Sequence, residues 1–237
     1  MAPERRTAVV EEIRPLNPRV REIELRLEKA PFPYESGQWV AVYLPVGPQP
    51  PKVRAYSLAT PATGDGRITL SFNRGNRPDS ATDYLFDLEP GDKLEISGPN
   101  GGFTLPPERE HDFLFVARFT GIVPIRCMIL DLFSRPFTRD VVLIYGAQSP
   151  EDLVYGEEFE ALAGKYPNFR YFPCVQIPSA GWKGEVGSEA ACLERTIRSP
   201  EGRLAYLCGL RALVTPAEEA LQRIGFPAEQ IRRERYD

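Results

Sequence analysis

The sequence predicts two domains: an antiparallel β-barrel, followed by an α/β domain built on a doubly wound parallel sheet. Three observations support this prediction. The chain has 237 residues, which is long enough for two ordinary domains. Short β-type runs separated by turn residues fill its first half. Strand-like and helix-like runs then alternate in its second half, and that order is typical of a parallel sheet covered by helices.

The first half extends from Thr7 to about Leu105 and consists of short runs with the alternation of antiparallel strands. The pattern fits either a barrel or a sandwich. Turn residues separate the runs, for example Ser36-Gly37 and Pro90-Gly91-Asp92. Only Ala81 to Leu88 has the pattern of a short helix. The predicted strands are, in order, TAVVEEIRPL, VREIELRL, QWVAVYLP, KVRAYSLATP, ITLSFNR and KLEISG.

After the charged segment PPEREHD the pattern changes to alternating strands and helices. We therefore place the domain boundary at Pro106-Pro107 and predict domains at 1–107 and 108–237. Ligands of such parallel sheets bind at the carboxyl ends of the strands. The predicted strands are FLFVA, VVLIYGA, FRYFPCVQ and RLAYLCG, and the predicted helices are IRCMILDLF, EEFEALAGKY, SEAACLERTI and PAEEALQRIG.

Composition excludes several classes of function. The net charge is −4 and the only basic cluster is the short IRRER, so we expect no nucleic-acid partner. No apolar run has the length of a membrane span or of a signal peptide, which predicts a cytoplasmic protein. We expect no metal site, because the four cysteines lie far apart in the sequence: Cys127, Cys174, Cys192 and Cys208.

The stretch FVARFTGIVPIRCMIL has the pattern of a strand, a tight turn and a helix. The apolar run ends at Ala117, the turn carries Thr120 and Gly121, and apolar residues recur at helical spacing from Ile122. Free amide groups at a helix N-terminus bind phosphate. This turn is therefore a candidate site for a nucleotide.

Seven motifs in one order resemble the ferredoxin–NADP reductase family over essentially the whole chain. By itself a Tyr and a Ser in a strand indicate packing more often than a cofactor site; the order of the motifs is what carries the resemblance. The resemblance implies an enzyme that binds FAD, takes electrons from NADPH or NADH and passes them to a separate ferredoxin, flavodoxin or other redox protein. The motifs are R-x-Y-S in KVRAYSLATP, then SATDYLFDLEPGD, GPNGGFTL, ARFTGIVPIR, YGAQSPEDLVYGEEFEAL, YLCGLRALV and the terminal ERYD.

In the first half the resemblance implies a flavin site. Tyr56 matches the tyrosine that stacks on the flavin ring, Arg54 the arginine at the flavin pyrophosphate, and Ser57 the serine near the flavin N5 atom. A flat ring and a planar guanidinium suit these roles. A second phosphate contact is expected from Thr82, with Ser80 as the alternative, although either residue could instead be a simple helix N-cap. Further flavin contacts are expected from Leu58 and Arg74.

In the second half the resemblance implies a nucleotide site. Cys208 and Glu234 are expected to act with Ser57 beside the reacting nicotinamide and flavin, and Tyr236 is expected to cover the flavin. Near the chain end, a solvated and frayed tail is the alternative for Glu234 and Tyr236. The remaining predicted nucleotide contacts are Arg118, Thr120, Gly121, Pro124, Gly146 and Gly209.

Two features depart from the family pattern. The family commonly has two glycines before Thr-Gly, whereas this chain has Arg118 and Phe119; Arg118 could supply a compensating charge, but Phe119 adds bulk. Members that select NADP carry Ser and Arg after the FRYFPCV strand, whereas this chain has Gln176 and Ile177. Selection of NADP over NAD is therefore not predicted, although Lys183 or Arg211 could contribute a positive charge.

These departures leave two hypotheses. The first is an NAD(P)H-dependent FAD reductase. The second is a flavin-binding electron carrier with a degenerate nucleotide site, which exchanges electrons only with partner proteins. FAD is preferred over FMN because of the family resemblance alone. Arginines are candidates for docking an acidic partner, with scattered surface charges as the preferred explanation: Arg74, Arg77, Arg232, Arg233 and Arg235.

Overall fold

The structure is a computed structural model that describes residues 4–47, 51–75 and 79–237. The chain divides into two compact units. One contains Met1–Leu105 and Arg126–Arg135, and the other contains Pro106–Ile125 and Pro136–Asp237. The domain boundary at residues 107 and 108 stays a prediction.

The first unit is built on a six-stranded antiparallel sheet with the order β4-β3-β6-β1-β2-β5. Leu58, just after β4, forms a bridge with Leu70 of β5, and the Ala59 amide donates to the Thr69 carbonyl over 2.9 Å. The two edge strands therefore meet, and the sheet curves into a barrel rather than a sandwich. The elements are β1 (Arg5–Asn17), β2 (Val20–Leu27), β3 (Trp39–Leu44), β4 (Lys52–Ser57), β5 (Arg67–Asn73), α1 (Ser80–Phe86) and β6 (Lys93–Asn100).

Alternation along the strands fills the interior of this barrel. In β2, Ile23, Leu25 and Leu27 are buried in the core, whereas Glu24 and Arg26 between them are only partly buried. A buried aliphatic side chain contributes about 1.5–3 kcal/mol relative to an exposed one. The same core takes in Leu85 and Phe86 of α1. Burial of these two residues fixes α1 against the barrel.

The second unit is built on a six-stranded parallel sheet with the order β10-β9-β8-β7-β11-β12. All seven residues of the central strand β8 are buried, because helices cover both faces. Helices α4 and α5 pack on one face, and Phe159 of α3 packs against Tyr145 on the other. Helix α2 (Ile122–Phe133) begins in this unit, but its residues from Arg126 onward belong to the first unit. The other elements are β7 (Asp112–Arg118), β8 (Val141–Ala147), α3 (Gly156–Lys165), β9 (Phe169–Val175), β10 (Glu185–Val186), α4 (Glu189–Thr196), β11 (Arg203–Gly209), α5 (Arg211–Ile224) and β12 (Ile231–Arg235).

The predicted fold class is confirmed, but three elements differ from the predictions. Strands β10 and β12 were not predicted: β10 has only two residues, and in β12 only Ile231 is buried, so neither has an apolar alternation. Helix α5 begins at Arg211 rather than at Pro216, because its first turn precedes the proline. Pro216 is the sixth residue of α5 and lies beyond the first turn, so it removes one main-chain donor inside the helix.

Within the described ranges, no helix is both long and apolar enough to cross a bilayer. The same residues contain no group of three or more His, Cys, Asp or Glu side chains that could hold a metal ion. A cytoplasmic location stays a prediction from the sequence.

Candidate active site

Tyr56 lies on the edge strand β4 and is held by an aromatic contact. Its ring packs edge-on against Phe72, with centroids 4.6 Å apart and planes at 84°. Burial raises the pKa of the Tyr56 hydroxyl to about 12, so this group stays protonated at neutral pH. The ring orientation is therefore fixed by the barrel itself.

The neighbours of Tyr56 differ in what they can offer a cofactor. The Arg54 side chain is 41% exposed, and its guanidinium can still reach a ligand. Ser57 ends the strand, in register with Trp39. Leu58 is fully buried in the barrel core, so its predicted contact with the flavin can involve only its main chain.

The N-terminus of α1 is capped by Asp79, and neither Ser80 nor Thr82 is the N-cap residue. The Asp79 carboxylate accepts from the Ala81 amide over 3.4 Å, and the Thr82 hydroxyl donates to it over 3.3 Å. Aspartate is a preferred N-cap because its oxygens accept from amides that have no partner in the helix. An aspartate shortly before a predicted helix, as at Asp79, is the sequence feature that indicates an N-cap.

Asp79 also pairs with two cations of β4. Lys52 forms an ion pair with it, and an Arg54 guanidinium nitrogen lies 3.6 Å from its Oδ2 atom. The hydrogen bond from Lys52 is the main cause that lowers the pKa of Asp79. The arginine expected at the flavin pyrophosphate thus already has a carboxylate partner.

Arg74 is anchored on α1. Its guanidinium lies 4.4 Å from the centroid of the Phe86 ring and 3.6 Å from Asp83. These contacts occupy the side chain with the C-terminal part of α1, so its predicted contact with the flavin lacks support from the geometry. Arg77, a candidate for docking, lies outside the described residues.

The predicted phosphate turn is present as a short 3₁₀ turn, Phe119–Gly121, between β7 and α2. Phe119 has a φ of 50°, in the left-handed region that favours glycine. Such a conformation costs on the order of 1–3 kcal/mol in a non-glycine residue. The Phe119 carbonyl accepts a 3.3 Å hydrogen bond from the Tyr145 hydroxyl, which helps to hold the turn.

Gly121 lets this turn pack directly on the end of β11. A Cβ atom on Gly121 would lie 2.2 Å from the carbonyl oxygen of Cys208, so no other residue fits without a shift of the backbone. Gly209, which follows, has a φ of 152°. Thr120-Gly121 and Cys208-Gly209, far apart in the sequence, therefore lie side by side.

Arg118 pairs with Glu189, a residue that no sequence motif indicates as part of the site. Its Nε donates to Glu189 Oε1 over 2.6 Å and its Nη2 donates to Glu189 Oε2 over 2.5 Å. Glu189 is only 2% exposed. Glu189 lies in the predicted helix SEAACLERTI, and no local sequence pattern pairs it with Arg118.

The same carboxylate occupies the space over Gly146. A Cβ on Gly146 would lie 1.5 Å from Glu189 Oε1, so glycine at this position makes room for Glu189. The family resemblance predicts that a dinucleotide approaches the chain at this glycine. In the structure, Arg118 pairs with Gly146 across β7 and β8, which puts the ion pair at the carboxyl ends of the central strands.

Strand β12 brings Glu234 beside Cys208. The two residues are in register in the parallel pair of β11 and β12, so this part of the tail is not frayed. Burial raises the pKa of Glu234 to about 7, within reach of physiological pH. Burial also raises the pKa of the Cys208 thiol well above its usual range, so this cysteine stays a thiol.

Tyr236 closes the same group of residues. Its amide donates to the Gly209 carbonyl over 3.1 Å, and its hydroxyl donates to the Thr120 carbonyl over 3.4 Å. Its side chain remains 42% exposed, and so its ring is available to a ligand. Next to it, the Asp237 carboxylate accepts from the Arg211 amide over 2.7 Å and caps the first turn of α5.

The residues after β9 form a turn against the end of β8. The Ile177 amide donates to the Gln148 carbonyl over 2.9 Å, and the Ile177 side chain is 59% exposed. Lys183 borders an open cleft of about 710 Å³ that is also lined by Tyr171 and Trp182. The two residues after β9 thus offer no cation for a 2′-phosphate.

Comparisons with known proteins identify one family in each half of the chain. The family described as Oxidoreductase FAD-binding domain matches residues 7–105, and the family described as Oxidoreductase NAD-binding domain matches residues 115–219. The chain is 34% identical over 233 residues to ferredoxin–NADP reductase B of Sorangium cellulosum, with 95% of each chain covered. It is 32% identical over 233 residues to the phenol hydroxylase P5 protein of Acinetobacter pittii, covering 97% of this chain and 65% of that relative.

Solved structures give the same result. The cytochrome P450 reductase GcoB of Amycolatopsis superposes with a TM-score of 0.89 at 27% identity, covering 98% of this chain and 70% of that one. A ferredoxin NADP+ reductase from Neisseria gonorrhoeae, with bound FAD and NADP, has a TM-score of 0.83 at 18% identity and shares the fold over 98% of both chains.

Proposed function

Because the chain belongs to the ferredoxin–NADP reductase family, we propose that it passes electrons from NAD(P)H through FAD to a separate one-electron protein acceptor. The cofactor would supply the chemistry of taking electrons from NAD(P)H and of giving them to the acceptor. The protein binds and orients the cofactor and sets its electrostatic environment. The acceptor is proposed to be of the ferredoxin type, since one relative carries ferredoxin in its name.

The first unit supplies the residues to hold FAD. Tyr56 offers a fixed aromatic face, Arg54 offers donors for a phosphate oxygen, and Ser57 ends the same strand. Thr82 and the first amides of α1 are the proposed second phosphate contact. This contact requires the phosphate to replace the Asp79 carboxylate as their hydrogen-bond acceptor. FAD held there would supply the hydride-accepting and one-electron-donating chemistry.

The second unit supplies the residues to hold the nicotinamide nucleotide. Thr120 and Gly121 form the turn that leads into α2, and the N-terminal end of a helix favours an anion such as a pyrophosphate. Cys208 and Glu234 are the proposed catalytic residues. Glu234, with a pKa of about 7, can hold or release a proton at its carboxyl group near neutral pH.

One observation carries the proposal: the register of β11 and β12 gathers Cys208, Glu234 and Tyr236 around the end of the phosphate turn. A protein that used only the flavin would need no such arrangement. The nucleotide is written as NAD(P)H because Gln176 and Ile177 give no reason to favour NADPH over NADH.

A second candidate function is an electron-transfer subunit that exchanges electrons only with proteins. Phe119 and the Arg118–Glu189 pair favour it, because Phe119 lies in the turn that should approach the pyrophosphate and the ion pair lies next to that turn. This candidate predicts a bound flavin that neither nucleotide reduces.

Anaerobic stopped-flow mixing distinguishes the two candidates. The FAD-loaded protein is mixed with NADPH and, separately, with NADH, and flavin absorbance near ~450 nm is followed. Rapid bleaching by either nucleotide is the expected result and would identify the preferred one. If dithionite reduces the flavin and neither nucleotide does, the reductase proposal is wrong and the second candidate stands.

A further inference from the structure

We infer that Glu189 sets the nucleotide affinity of this protein by cancelling the charge of Arg118 at the phosphate turn. This inference rests on the proposed function, because it concerns the same nucleotide site. It assigns a role to a residue outside the seven motifs. Arg118 then contributes hydrogen-bond donors to the turn without a net positive charge.

The geometry of the pair supports this role. Two nitrogens of Arg118 donate to the two oxygens of Glu189 over 2.6 and 2.5 Å, in the planar arrangement that suits a guanidinium and a carboxylate. The third nitrogen, Nη1, has no partner among the described residues, and 18% of the Arg118 side chain is exposed. One edge of the guanidinium is thus satisfied, and the other can serve a ligand.

Two further features hold the Glu189 carboxylate beside Arg118: its position at the start of α4 and the space over Gly146. Glu189 is the first residue of α4, whose N-cap Ser188 accepts from the Ala191 amide over 3.2 Å. A carboxylate is stabilised at a helix N-terminus by the unpaired amides and the helix dipole. The absence of a side chain at Gly146 provides the space that the carboxylate fills. Two separate parts of the chain therefore serve to keep a negative charge beside Arg118.

The electrostatic consequence follows from the charge of the ligand. A dinucleotide brings a pyrophosphate with two negative charges to this turn, and an unpaired arginine would attract it strongly. Glu189 removes that attraction, because a carboxylate in contact with the guanidinium leaves the pair neutral. Loss of the negative charge should therefore strengthen binding, and added salt should weaken the gain.

The test compares the FAD-loaded wild type with Glu189→Gln. Glutamine keeps the size of the side chain and one acceptor oxygen but removes the charge. Dissociation constants for NADP+ and NAD+ are measured by titration at ~20 mM and ~500 mM NaCl. We expect binding about 3–10-fold tighter than wild type at low salt, with the ratio near one at high salt.

Two control variants separate the charge of Arg118 from other effects. Glu194→Gln removes a carboxylate of the same helix that pairs with Arg223 over 2.9 Å, and it should leave affinity unchanged. The double variant Arg118→Gln with Glu189→Gln has no arginine charge to expose, so it should not bind nucleotide more tightly than wild type. If Glu189→Gln folds normally but binds as wild type or more weakly at both salt concentrations, the inference is wrong.

Arg118→Gln provides an independent test if Glu189→Gln does not fold. It leaves the buried carboxylate unpaired, so nucleotide affinity should fall at low salt and recover as salt increases. A loss that does not depend on salt would overturn the inference. If wild type binds neither nucleotide while Glu189→Gln binds one, the inference holds and the proposed function fails; if neither protein binds, both are wrong.

Discussion

Glu234 is a carboxyl group whose surroundings raise its pKa into the physiological range. The cause is burial on β12, which makes the charged form unfavourable and raises the pKa to about 7 from an ordinary value of 4.5. In the unfolded chain the group is ionised above pH 4.5. The folded protein therefore binds the proton more tightly, and stability present below pH 4.5 is lost as the pH rises through about 7.

Substitution of Glu234 by Gln should change both kinetics and stability. The rate of flavin reduction by NAD(P)H should titrate near pH 7 in wild type, whereas Glu234→Gln should give a flat profile from about pH 6 to 8. At pH ~8 the variant should be more stable by about 1–2 kcal/mol, after allowance for partial exposure, and at pH ~4 the difference should vanish. Urea unfolding measures this difference.

The control for Glu234 is Glu229→Gln, which removes an exposed carboxylate shortly before the same strand. It should leave both the pH profile and the stability difference unchanged. A wild-type profile without an inflection between pH 6 and 8 would contradict the role of Glu234.

Phe119 raises a different question at the residue scale: whether the ring or the backbone conformation limits the phosphate turn. Phe119→Ala and Phe119→Gly both remove the ring, and only glycine adopts a φ of 50° without strain. Phe119→Gly should therefore be more stable than Phe119→Ala by about 1 kcal/mol, as measured by thermal or urea unfolding.

Nucleotide titrations of the same two variants locate the obstruction. If the ring limits access, both variants bind NAD(P)+ more tightly than wild type. If the strained turn is the limit, only Phe119→Gly does. Equal stability of the two variants would contradict the strain assigned to Phe119.

At the scale of elements, the contact of the phosphate turn with β11 positions the nucleotide residues. A Cβ at Gly121 would meet the main chain of Cys208 at 2.2 Å, and a backbone oxygen cannot turn aside as a side chain can. Gly121→Ala should therefore destabilise the protein by roughly 2–4 kcal/mol and slow flavin reduction. Chemical denaturation and stopped-flow absorbance provide the two measurements.

Gly164→Ala is the matched control for this contact. Gly164 lies within α3, and an added Cβ would meet no atom within 4 Å. Alanine is the better helix former, so this variant should gain about 0.5–1 kcal/mol. A Gly121→Ala protein as stable as wild type would show that the turn does not pack on β11 as described.

Strands and helices could be predicted from the sequence where burial of one face makes apolar residues recur at regular spacing. Ile23, Leu25 and Leu27 alternate in β2 because one side of the strand faces the core, and that alternation is readable in the letters. Strand β12 could not be found in the same way. Its basic residues are exposed, and only Ile231 is buried, so its place in the sheet depends on hydrogen bonds to β11 that leave no pattern in the sequence.

At the scale of the whole molecule, each unit has its own apolar core, and the family motifs fall in both. The pattern of strand-like and helix-like runs predicted the fold class, and the order of those motifs predicted the family. The pairing of Arg118 with Glu189 could not be predicted, because the two residues are 71 positions apart. Their contact is created only when α4 packs on the sheet that contains β7.

The partner of Arg54 was missed for the same reason. Asp79 is 25 positions away and meets it only because α1 returns to the edge strand β4. Both arginines that the family resemblance assigns to phosphates therefore form ion pairs with carboxylates of the chain. A sequence motif identifies such an arginine but not its partner within the fold.

Asp79 has a consequence for how the protein acquires its cofactor. Lys52, Arg54 and the Ala81 amide already share one carboxylate, so an arriving pyrophosphate replaces an anion instead of meeting unpaired cations. Cofactor loading is in this sense an ion exchange, and its equilibrium reflects the difference between two sets of similar bonds. In the protein without flavin, the Asp79 carboxylate balances the charges of Lys52 and Arg54 and so reduces the repulsion between them.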